Sequence, residues 1–194
     1  MTDEDSQPAD PLAPEARRHL DEDGHDVVDP LYVAIVTVSS SRDPDDDPGG
    51  DAAADLVAES GGKVTARQLV RDDFAAIRGT VDRLASREDV DCIVTTGGTG
   101  MTMDDVTPRA CEGLFEREIP GFGELFRVMS YDEIGHRAMA SRATAGVVSG
   151  TPVFCLPGSR GAVRTAMSEL VLPEAPHLAG LATRHRFEGY DSGN

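Results

Sequence analysis

Lysine is almost missing from this chain: Lys63 is the only one, and arginine supplies the rest of 18 basic side chains set against 35 acidic ones. The resulting formal net charge of −17 argues against a nucleic-acid or anionic-membrane partner, because such a surface repels polyanions. An acidic, lysine-poor surface of this halophilic type suits a protein kept soluble in concentrated salt, where screening removes most of the self-repulsion. Cysteine is scarce as well. Cys92, Cys111 and Cys155 are odd in number and widely spaced, which excludes a complete disulfide set and a CxxC metal knuckle and leaves reduced, buried thiols. No apolar run approaches the length of about 18 residues that a membrane span needs, and no basic patch precedes an apolar stretch near the N-terminus, so the expected location is cytoplasmic.

Several motifs are absent too. The glycines form neither GxGxxG nor GxxxxGK[ST], which disfavours a Rossmann dinucleotide site and a P-loop NTPase. The five histidines make no HExxH, and no serine sits in a nucleophile elbow. His136, His177 and His185 read as surface or structural residues, while His19 and His25 fall in an acidic leader.

At 194 residues and 39% hydrophobic, the chain can bury one good core, so one domain with an appendage is expected. Residues 1–29 carry ten acidic side chains against Arg17 and Arg18 and read as a disordered acidic tail, with the domain over 30–194. From residue 30 onward apolar strands alternate with helical stretches, which predicts an α/β layer fold with a mostly parallel central sheet. A strand over 31–39, a small-residue helix over 50–60 stopped by Gly61-Gly62, and a strand over 64–70 make one βαβ unit. Phe74, Ile77, Val81, Leu84 and Ala85 recur at helical spacing behind the candidate caps Asp72 and Asp73. A strand over 90–95 then runs into Thr96-Gly97-Gly98-Thr99-Gly100, and Phe122, Leu125, Phe126 and Met129 mark another amphipathic helix. Residues 147–156 suggest a hairpin, and Pro157-Gly158-Ser159 opens a last helix with Val163, Met167, Leu170 and Val171 on its inner face.

In open α/β sheets, ligands bind at the carboxyl ends of strands. Three loops meet that condition here: 39–50 beginning at Ser39, 97–107, and 157–161. Each joins glycine to a hydroxyl or carboxylate and leads into a helix whose dipole favours an anion, so together they are expected to form one pocket. Gly97, Gly98 and Gly100 would bring bare amides to a phosphate, and Thr99 and Thr102 would add hydroxyls. Taken alone, Asp47 reads as part of a solvated acid run, Asp105 as a turn residue, and Ser159 as a helix cap.

The order and spacing of Thr96-Gly97-Gly98-Thr99-Gly100, Asp105, Thr107-Pro108, Gly121-Phe122-Gly123-Glu124-Leu125-Phe126-Arg127, Ser141-Arg142-Ala143 and Pro157-Gly158-Ser159 resemble the molybdenum-cofactor biosynthesis MoaB/MogA family, closer to its MoaB branch. The resemblance covers nearly all of 31–172. It implies a three-layer α/β/α fold, a homotrimer or homohexamer working beside other cofactor-synthesis proteins, and molybdopterin as substrate. In active members it implies Mg²⁺ and adenylylation of the molybdopterin phosphate with ATP as co-substrate, whereas a non-catalytic molybdopterin carrier of the same pathway is the alternative. On this resemblance Asp47 and Asp105 are the catalytic and metal-holding pair. Ser39, Gly97, Gly98, Thr99, Gly100, Thr102, Pro157, Gly158 and Ser159 are its substrate-binding set. Such chemistry needs crowded anions held in line beside a magnesium ion, and no strong base, because the attacking phosphate is already largely ionised near neutrality. Two positions depart from the family pattern: Gly49 stands where a loop hydroxyl is usual, and Arg109 where an acidic residue usually follows the proline.

Overall fold

A computed structural model describes residues 14–40 and 46–187. Its centre is a six-stranded sheet formed by β3 (Tyr32–Val38), β4 (Lys63–Val70), β5 (Cys92–Thr96), β6 (Arg117–Glu118), β7 (Thr144–Val148) and β8 (Thr151–Leu156). Their order is β4-β3-β5-β8-β7-β6, parallel from β4 through β8 and antiparallel over the last two. β3, β5 and β8 are buried along their whole lengths. Uninterrupted apolar runs of this kind belong to strands covered on both faces.

The alternation of side chains decides which helices cover each face. Val33, Ile35, Val94, Phe154 and Leu156 meet α1 (Pro48–Glu59), α4 (Pro120–Ile134) and α5 (Arg160–Ala166). Ala34, Val36, Ile93, Val153 and Cys155 meet α2 (Phe74–Ala85) and α3 (Thr107–Glu112) on the other side. The expected three-layer α/β/α fold is therefore present. Asp73, not Asp72, caps α2, accepting from the Ala76 amide at 2.8 Å. Within α4, Phe122 and Phe126 are buried, but Leu125, counted with them in the apolar pattern of the helix, is 53% exposed. All three cysteines are buried and free, and burial pushes the Cys92 thiol above its ordinary value.

The last helix is not continuous. A π-helical turn, Met167–Val171, separates α5 from α6 (Leu172–Phe187), and the Leu172 amide reaches back to the Met167 carbonyl. Pro173 has no N–H to continue the regular ladder, which accounts for a break at this point.

Residues 14–29 depart from the expected acidic tail. A 3₁₀ turn, Pro14–Arg17, leads into a hairpin of β1 (Arg18–Leu20) and β2 (Asp26–Val28). The hairpin lies on α6, where a Cβ at Gly180 would stand 2.3 Å from the Asp26 carbonyl oxygen. Arg17 is buried, forks onto Asp91 and lies 3.8 Å over the Tyr32 ring. Asp91 also accepts the Tyr32 amide at 2.7 Å. Composition counted the acids of this segment and could not see partners some 70 positions away. The rest of the expected tail, residues 1–13, lies outside the described residues.

Candidate active site

The site forms where β5 and β8 end side by side, Thr96 opposite Leu156. After β5 the chain turns through Gly97 and Gly98 at φ of 101° and 65°, a left-handed region that favours glycine. Space demands glycine here as well. A Cβ on Gly97 would stand 2.3 Å from the Val38 carbonyl oxygen, and one on Gly98 would stand 2.3 Å from Thr107 Oγ1. Gly97 donates to the Leu156 carbonyl at 2.9 Å and Thr107 to the Gly98 carbonyl at 3.1 Å, so both ends of the loop are tied to regular structure.

Asp105 closes the loop on itself. Its Oδ2 accepts from the Thr102 amide at 2.8 Å and the Thr102 hydroxyl at 2.6 Å. Burial opposes ionisation of Asp105, but the Thr102 and Gly100 donors and the Arg142 charge outweigh it, holding the carboxyl below its ordinary value. Asp105 is therefore a fixed negative charge at neutral pH.

A cavity of about 280 Å³ lies beside this loop. Gly98, Thr99, Gly100 and Asp105 line one wall, and Pro157, Gly158 and Ser159 line another. Ser159 caps α5, accepting from the Ala162 amide at 3.4 Å. Phe126, Ser130 and Ile134 of α4, with Arg137 in the turn after it, complete the enclosure. This last wall is what sequence reasoning missed. Helical periodicity gave α4 a packing role, and only the tertiary arrangement turns its C-terminal half toward a ligand space.

The described residues of the first loop, 39–40 and 46–50, do not line that cavity. Asp47 is buried and caps α1, accepting from the Gly50 amide at 3.0 Å. Its Oδ2 accepts from the Thr37 hydroxyl at 2.5 Å and lies 3.4 Å from the Arg67 guanidinium. Thr37 in turn is 3.5 Å from the Thr96 hydroxyl, so Asp47 sits at the end of β3, next to the strand that feeds the glycine loop. Ser39 lies there too, its amide bonded to the Val70 carbonyl at 2.9 Å. Among the described residues no group of three or more His, Cys, Asp or Glu side chains is placed to hold a metal.

Of the two departures from the family pattern, Gly49 has no structural explanation, whereas its neighbour Gly50 and Arg109 each have one. A Cβ at Gly50 would fall 2.0 Å from Asp47 Oδ2, so the glycine after Gly49 is what lets Asp47 cap the helix. Arg109 lies 5.2 Å over the Phe74 ring of α2 and is absent from the cavity lining.

Comparison with known proteins agrees with this architecture. The "Probable molybdopterin binding domain" family model matches residues 34–177. The chain belongs to the MoaB/MogA family. It is 47% identical over 145 residues to Molybdenum cofactor biosynthesis protein B of Bacillus cereus, covering 74% of this chain and 86% of the relative. The Escherichia coli K12 protein of the same name is 41% identical over 145 residues, covering 75% and 85%. A crystal structure of Molybdenum cofactor biosynthesis protein B superposes with a TM-score of 0.77 at 45% identity, over 79% of this chain and 96% of that one. The tungsten cofactor synthesizing protein MoaB from Pyrococcus furiosus gives 0.71 at 31% identity, over 79% and 98%. For a MoaB/MogA member, the enclosed glycine loop and the Ser159 helix start mark the place to look for function.

Proposed function

We propose that this protein acts in molybdenum cofactor biosynthesis, binding molybdopterin in the cavity beside the glycine loop and transferring AMP from MgATP to its terminal phosphate. One observation carries the reading: the glycine turn Gly98 to Gly100, the ionised Asp105 and the capped start of α5 surround a single space that also has an aromatic and aliphatic wall. A phosphate suits the loop backbone and the helix start, a cation bridging to that phosphate suits Asp105, and a pterin ring suits the wall and hydroxyls such as those of Thr99 and Ser130. One ligand carrying both chemistries fits one cavity.

Magnesium suits these donors. It favours carboxylate and phosphate oxygens and is commonly held by one or two carboxylates plus the substrate's own phosphates, so a three-residue protein cluster is not required. Asp105 and Asp47 would hold it, and when bound it would neutralise charge on the departing pyrophosphate. The remaining work belongs to the chain: the loop amides and Ser159 orient the attacking phosphate, and no side chain need remove a proton from it.

A second reading, a carrier that holds molybdopterin without turnover, is favoured by the engagement of Asp47 with Thr37, Gly50 and Arg67. Incubating the protein with molybdopterin, ATP and Mg²⁺ separates the two. Release of pyrophosphate with formation of adenylylated pterin is the expected result, and tight pterin binding without pyrophosphate would establish the carrier.

A homo-oligomer belongs to the same reading. Val128, Tyr131 and Met139 line a groove on the outer side of α4 and are 65%, 61% and 82% exposed. No helix of the described residues is long and apolar enough to cross a membrane, so a lipid bilayer reached by a spanning helix does not account for that face.

A further inference from the structure

Arg142 is absent from the cavity lining but is bonded to the loop that forms one of its walls. The residue lies in the link between the turn after α4 and β7, and it makes three hydrogen bonds to one loop. Its amide donates to the Thr99 carbonyl at 3.1 Å, its Nε donates to the Gly100 carbonyl at 2.7 Å, and its terminal guanidinium nitrogen donates to the Asp105 carbonyl. The guanidinium itself borders a neighbouring cavity of about 460 Å³ that also contains Glu112, Glu118, Glu124 and Arg127. It therefore approaches the loop from behind.

Peptide planarity gives these bonds directional consequences. In a trans peptide the carbonyl and the following N–H point in opposite directions. Pinning the Thr99 carbonyl to Arg142 thus turns the Gly100 amide away from that residue, toward the Asp105 carboxylate that it serves as a donor. Pinning the carbonyls of Gly100 and Asp105 with one planar fork fixes the distance between the glycine turn and the carboxylate bearer. Lysine carries its three donors on one freely rotating nitrogen and cannot present two of them as a rigid planar fork.

We propose that Arg142 is a positioning residue, which sets the glycine loop and Asp105 in the geometry that receives the substrate phosphate. The proposal rests on the reading of this cavity as the substrate site. Arg142 is absent from the cavity lining, so its effect passes through the loop.

The test uses the full chain carrying R142A or R142K, compared with the parent protein by amide hydrogen exchange and by steady-state kinetics with molybdopterin, ATP and Mg²⁺. In R142A, exchange over residues 98–105 should accelerate at least tenfold while β3, β5 and β8 exchange as before. The kinetic constant kcat should fall at least tenfold with a smaller change in KM, and R142K should recover part of both losses. Unchanged exchange over 98–105, or acceleration spread evenly across the sheet, would overturn the proposal, as would a full kcat in R142A. Should R142A not fold, R142K must show the same localised acceleration in weaker form, and its absence refutes the idea. A parent protein that binds molybdopterin without turnover would remove the transferase reading alone. Exchange and pterin affinity of the variants would then decide the role of Arg142.

Discussion

In the proposed transferase, Asp105 is the residue on which turnover would most directly depend. Its carboxyl is held low, so the sign is fixed: the Thr102 and Gly100 bonds that favour the charged form are present above the ordinary carboxylate range and are lost as pH falls through the lowered value. Asp105→Asn keeps the size and removes the charge. Turnover should drop by about 10²-fold or more, the scale associated with losing one electrostatic stabiliser, while pterin affinity stays within a few-fold. Paired measurement of pyrophosphate release and pterin binding checks this, and unchanged turnover would take Asp105 out of the mechanism. The sequence made Asp105, Gly98, Gly100 and Ser159 legible because glycine turns and caps are local devices with local signatures. It gave Arg142 only as the middle of the Ser141-Arg142-Ala143 motif, with no role attached. A long side chain carries no record of which carbonyls it will meet.

Strands and helices were readable wherever burial is continuous or periodic, as in β3, β5, β8 and α2. The segment 14–29 was not, because its order comes from long-range partners rather than from its own composition. Magnitude separates its central contact from ordinary surface pairing. The side chains of Arg17 and Asp91 are 3% and 6% exposed, whereas Arg87 and Asp89 are 37% and 39% exposed. Removing one partner of a buried pair costs about 3–5 kcal/mol, and an exposed pair is worth about 1 kcal/mol at most. Thermal unfolding should therefore show Asp91→Ala lowering Tm by roughly 6 °C or more, with Asp89→Ala changing it by only a few degrees. Equal shifts would mean that the hairpin is not fastened through Asp91. The same contrast explains α4, whose apolar pattern was evident from spacing while Leu125, counted in it, is exposed. Periodicity finds a helix but does not fix the width of its hidden face.

Charge governs the molecule as a whole. With a net charge of −17, self-repulsion opposes the compact state, and salt relieves it by shortening the screening length to about 3 Å at 1 M. Circular dichroism melts should give a Tm that climbs as KCl is raised from low to molar concentration, and a salt-independent Tm would contradict the halophilic reading of the composition. Assembly can be tested at the same scale. Tyr131→Asp places a charge on the exposed apolar side of α4, and light scattering should report a smaller particle than the proposed parent homo-oligomer, with an unchanged mass locating the interface elsewhere.

The glycine loop and the Ser159 turn leave neighbouring parallel strands, β5 and β8, at matched register. Their separation is thus gauged by a single interstrand spacing of about 4.8 Å, a ruler that belongs to the sheet and is insensitive to loop composition. Substitutions at the rim change the chemical groups around the mouth without altering its aperture, whereas a one-residue slip of β8 would turn its side chains to opposite faces of the sheet.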